Sequence, residues 1–132
     1  MRDRRINFIM KIVAWFVLTA IIVLSLVPPG ARPTTLMPHK IEHAGIFLLD
    51  GIAFGIAYRG YEWLLSIGAA IFCGAIELAQ LMIPGRHPRL SDFFVDAIAA
   101  CIGIAGSTLI RMFVDGCRKA DVSRPTRRSD TL

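Results

Sequence analysis

Apolar residues run along this chain in long blocks, separated by short polar stretches, and do not alternate with polar residues at strand or helix period. Blocks of this kind are what a membrane-spanning helix needs, since crossing the hydrocarbon takes roughly 20 apolar residues. The pattern predicts four spans, at about 6–27, 41–58, 63–83 and 93–114. In the first, the hydroxyls of Thr19 and Ser25 can bond back to the helix backbone. It ends at Pro28-Pro29-Gly30, because proline removes a donor and disfavours helix before it. A loop then runs to Pro38. The second span is short, roughly 27 Å of helix, which just covers a hydrocarbon core. A tight turn, Arg59-Gly60-Tyr61-Glu62, leads to the third. A loop from Pro84 to Ser91 leads to the fourth, with Ser91 or Asp92 as its expected N-cap. Residues 115–132 are polar and read as a disordered tail. A cleaved signal peptide is the rival reading of the first block; the lack of an A-x-A site and the three later blocks oppose it.

Composition supports a membrane protein of one domain, residues 1–114. Of 132 residues, 55% are apolar, and the net charge is +5. The placement of that charge decides more than its sum. Eleven Lys and Arg flank the ends of spans on the side of both termini, against Arg32, Lys40, Arg86 and Arg89 on the other. The bias puts both termini in the cytoplasm and the two proline-bearing loops outside. Basic tails beside greasy helices are also a poor footprint for nucleic acid, which is excluded as a partner. Cys73, Cys101 and Cys117 have no metal-site spacing and read as small helix residues; no metal or cofactor is expected. Gly51 and Gly55 form a G-x-x-x-G, a spacing that lets two helices approach closely and could join two copies of the chain.

Charged residues inside such spans are the candidate chemistry. A charge at a helix centre costs about 2.5–3.5 kcal/mol on insertion scales, so Glu42, Asp50, Glu77 and Asp96 are expected to face the bundle interior. Glu77 and Gln80 share a helix face, as do Asp92 and Asp96. All lie toward the outer side except Asp50, which is near mid-membrane. The loops supply Lys40, Arg86 and Arg89, and an arginine fork suits Glu77 or Asp96. The reading is an outward-facing polar pocket of Lys40, Glu42, His43, Glu77, Gln80, Arg86, Arg89, Asp92 and Asp96. Its bases suit the phosphate of a lipid head group. A plainer reading has the charges pair and staple the helices. A catalytic one makes His43 or His87 a general base or nucleophile. Zinc at His39 and His43 would need a further ligand, and a proton relay through Asp50, Glu77 and Asp96 is a last alternative.

The order of these elements resembles the VanZ-like family of small bacterial membrane proteins. Lys40-Ile41-Glu42-His43 opens a span, Glu77-Leu78-Ala79-Gln80 closes the next, and Pro84-Gly85-Arg86 and Leu90-Ser91-Asp92 lead into the last. The likeness covers roughly residues 20–110. His39 stands where the family usually has Asp, and Asp96 where it often has Asn. The resemblance implies an all-α, four-span bundle in the bacterial inner (cytoplasmic) membrane. It implies functional positions at Lys40, His43, Glu77, Gln80, Arg86, Asp92 and Asp96, and a link to glycopeptide (teicoplanin-type) resistance. It implies no enzymatic activity. The expected function is therefore a non-enzymatic cell-envelope protein that binds membrane lipids, a lipid-linked envelope precursor or another anionic amphiphile. The alternatives are an enzyme acting on a lipid-phosphate head group and a structural partner in an envelope complex.

Overall fold

The chain, in a computed structural model, is helical throughout the residues described, which are 2–27, 39–83 and 89–122, with side chains for 4–27, 41–83 and 89–117. Four helices lie within them: α1 (Arg2–Leu26), α2 (His39–Ala57), α3 (Glu62–Gln80) and α4 (Leu90–Val122). The loops expected at 28–38 and 84–88 and the last ten residues lie outside the described part. Three stretches, Arg4–Leu26, Glu62–Gln80 and Leu90–Cys117, are long and apolar enough to cross a membrane. α2 is as long as α3 but carries Lys40, Glu42 and Asp50.

The helices bury small residues and turn large apolar ones outward. Ala53, Ala57, Ala97, Ala99 and Ala100 are buried, whereas Phe8, Phe16, Ile71, Leu78, Met112 and Phe113 are all more than 60% exposed. A protein folded in water would reverse this, since burial of large apolar side chains is its main driving force. In lipid that drive is absent between helices, and close packing of small residues takes its place.

The central contact is between α2 and α4, the most extensive in the bundle. These two helices run parallel: His43 meets Asp96, Gly51 meets Ala100, and Gly55 meets Ile104 and Ser107. The backbones approach so closely that a Cβ on Gly51 would collide with the Ala100 carbonyl. One on Gly103 would collide with the Leu48 carbonyl. The close helix approach that the Gly51–Gly55 spacing implies is made within the chain, to α4.

α1 packs on α2 from the other side. Trp15 Nε1 donates to the Tyr58 hydroxyl at 2.9 Å, and its ring meets Phe54 edge-on at 5.6 Å. The Lys11 ammonium sits 5.0 Å from the centre of the Tyr58 ring, a cation–π contact. α3 packs mainly on α4 and runs antiparallel to it, with Glu62 beside Arg111 at one end and Gly74 against Phe93 toward the other.

The turn between α2 and α3 is tied to α4. Gly60 takes a left-handed φ of 86°, which glycine adopts without strain. Its N–H donates to Glu62 Oε1 at 3.2 Å. Arg111 donates through Nη2 to the same Glu62 oxygen at 2.6 Å and to Thr108 Oγ1 at 3.0 Å, and through Nη1 to the Gly55 carbonyl. That carbonyl lies in the last turn of α2, where helical acceptors lack backbone donors.

Two boundaries differ from the sequence reading. α4 begins at Leu90, before both proposed N-caps, with the Arg89 carbonyl accepting from the Asp92 amide at 2.8 Å. The Ser91 hydroxyl instead donates to Asp92 Oδ1 at 3.0 Å. At its other end α4 continues through Asp115 to Val122. The expected disordered tail therefore starts as helix, because Arg, Lys and Ala extend a helix already nucleated, the single Gly116 only weakens it, and no proline occurs before Pro125.

Two substitutions on α4 separate tight from open positions. Gly103→Ala should lower unfolding stability in detergent by about 1–3 kcal/mol, because neither facing backbone can yield easily. Gly106→Ala, where a Cβ meets nothing within 4 Å, should be neutral or stabilise by up to about 1 kcal/mol. Equal effects at the two positions would contradict the close α2–α4 approach.

Candidate functional site

The acidic residues collect where the start of α2, the end of α3 and the start of α4 meet. His43 is on the second turn of α2, and Asp96 on the second turn of α4, at parallel heights. Their Nδ1 and Oδ2 atoms are 3.1 Å apart, with the imidazole 17% and the carboxylate 5% exposed. His43 also stacks on Phe47, ring centres 6.3 Å apart. Phe47 is in the buried core and fixes the imidazole from below.

Glu77, one turn from the end of α3, faces the same point. The Arg89 backbone amide is directed at its carboxylate, and Asp92, Asp96 and His43 lie within electrostatic range. Gln80, one turn further on, is buried. Glu42 and Asp92 are half-buried at the rim. Two oxygens of this cluster, Glu77 Oε2 and Asp96 Oδ1, are buried without a hydrogen-bond partner. Leaving such an acceptor unmatched costs about 1–3 kcal/mol, more when it is charged. These atoms mark where a donor from outside the described residues fits.

The structure thus gathers His43, Glu77, Gln80, Asp92 and Asp96, with Arg89 and Glu42 at the edge. It alters one expected pairing. Among the described residues the base on Asp96 is His43 and not Arg89, which is exposed and offers Glu77 its backbone. Geometry explains this: the fifth residue of α2 and the seventh of α4 lie at one level of two parallel helices, whereas Arg89 precedes α4. Arg86, His87 and the side chain of Lys40 lie outside the described residues. Asp50 stands apart from the cluster, two turns further along α2, lining a separate cavity.

Among the described residues, no three His, Cys, Asp or Glu side chains converge in a metal-holding geometry. Cys73, Cys101 and Cys117 are free thiols. Sequence reasoning missed the Glu62–Arg111 pair. Both residues flank spans on the side of the termini, and Thr108 one turn before Arg111 was the available signal. No protein-family model, curated protein or solved structure matches the chain.

A double-mutant cycle tests the core of the site. His43→Ala and Asp96→Ala, singly and together, should show a coupling of about 1.5–3 kcal/mol in unfolding stability, as for a hydrogen bond to a charged group. Additive effects would mean that the two side chains act independently.

Proposed function

We propose that the chain is a four-span membrane protein of the VanZ-like kind, with both termini cytoplasmic, that binds the head group of an amphiphile in its outward-facing acidic cluster without transforming it. α2 is the fourth span, its charges accommodated because α1 and α4 cover them. The observation that carries the binding reading is the pair of orphaned acceptors, Glu77 Oε2 and Asp96 Oδ1, at one place in the bundle. They call for a ligand that brings hydrogen-bond donors, such as the ammonium or hydroxyl groups of a phospholipid or a lipid-linked envelope precursor. The basic residues Lys40, Arg86 and Arg89 on the same side suit its phosphate. The motif order, and with it the resemblance, supports the same positions and adds a consequence for teicoplanin susceptibility.

A second reading has one observation in its favour. His43 held by Asp96 is oriented as a general base would be, which suits an enzyme acting on a lipid-phosphate head group. His43→Ala distinguishes the two. Turnover that falls while the lipid stays bound favours catalysis.

Topology is tested with a membrane-impermeant maleimide on intact cells. Ser91→Cys in a Cys117→Ser background should label, whereas Cys117 in the otherwise unaltered chain should label only after the membrane is opened. Reversed labelling would overturn the orientation.

Ligand binding is tested by native mass spectrometry of the gently purified protein. The wild type should carry a phosphate-bearing lipid of defined mass, and Glu77→Gln and Arg86→Ala, if folded, should lose most of it. A wild type without lipid, or variants with an unchanged lipid set, would leave the charges as helix staples.

A further inference from the structure

Asp50 is a carboxylate that the acidic cluster does not use. It is 93% buried in the middle of α2, and its Oδ1 has no hydrogen-bond partner. It lines a cavity of about 250 Å³ bounded by all four helices. Apart from Asp50 the walls are apolar, and Trp15, Phe47, Phe54 and Phe72 put four aromatic rings around the one acid. The cavity lies where α1 and α3 make few contacts across the bundle. Trp15, Leu64 and Gly68, which line it from these two helices, are exposed on the outer surface. Its mouth therefore faces sideways, toward the acyl chains in a membrane, and not toward the outer loops.

The chemistry of such a wall is selective. A strongly hydrated ion would lose its water with only one carboxylate to replace it. An alkyl- or aryl-substituted ammonium gives up little hydration, brings apolar surface to the walls, and meets both the carboxylate and the faces of aromatic rings. Neutral lipids match the walls but leave Asp50 unanswered; anions oppose it. We infer that this cavity is a binding site for a lipophilic organic cation, entered from the bilayer between α1 and α3, with Asp50 as its counter-ion. The site is distinct from the acidic cluster and does not depend on the function proposed for it.

The test uses the full chain carrying Trp63→Phe in nanodiscs of zwitterionic lipid. Trp63 is exposed and outside the cavity, so its removal leaves Trp15 as the sole tryptophan reporter. Benzyltrimethylammonium and its uncharged isostere neopentylbenzene are titrated in turn. The cation should shift Trp15 fluorescence at a concentration about tenfold lower than the neutral probe. Asp50→Asn should abolish that preference while the neutral probe still registers. Gly68→Phe, which keeps Asp50 and fills open space at the mouth, should block both probes and serves if the Asn variant does not fold. Equal responses of the wild-type cavity to the two probes, a cation preference that survives Asp50→Asn, or a cation response that survives Gly68→Phe would overturn the assignment.

Discussion

Helices α2 and α4 touch along a seam with almost no side chain between them, and the other contacts of the bundle are arranged around that seam. Gly51, Gly55 and Gly103 set the distance, and Ala100 and Ser107 complete the seam. In a bilayer the reward for such contact is dispersion between many atoms and the release of lipid from the groove. Because the seam allows only one register, it fixes the heights of everything attached to the two helices. His43 and Asp96 fall level, and the Gly55 carbonyl comes within reach of Arg111. A one-turn slip would separate both pairs by about 5 Å.

That constraint also explains how a helix with Lys40, Glu42 and Asp50 can belong to the bundle. α2 packs on both α1 and α4, so Asp50 is buried within the bundle and Glu42 lies half-buried near the helix end. The outward surfaces of α1, α3 and α4 carry the large apolar residues instead. α3 is held more loosely, through α4 and through the Glu62–Arg111 contact at the turn. The looser fit between α1 and α3 is what leaves room for the cavity beside Asp50.

Much of this architecture is legible in the sequence. Apart from the end of α4, the apolar blocks place the four helices within a few residues, because long apolar helices announce themselves by length and composition. Helical spacing correctly grouped Glu77 with Gln80 and Asp92 with Asp96, because those relations are local. The pairing of His43 with Asp96 was not legible, because it depends on α2 and α4 being parallel and in one register. Gly51 and Gly55 were legible as a place of close helix approach but not as the seam with α4, because the spacing says that a backbone comes close, but not whose. Helical rise set Asp50 apart from the outer acids, near mid-membrane, but only the helix packing gives it a chamber of its own. The end of α4 was read too short because polar residues after an apolar block look like a tail, although nothing in them stops a helix.

The parallel course of α2 and α4 has an electrical consequence. Each helix is a dipole with its positive end at the N-terminus, and two dipoles side by side in the same sense repel. Here the positive ends coincide where Glu42 occupies the first turn of α2 and Asp92 that of α4, with Asp96 one turn deeper. The negative end of α2 meets the Arg111 guanidinium. The acids thus offset the paired positive ends and the arginine the negative end of α2, so that charge at either place acts on the field along both helices at once.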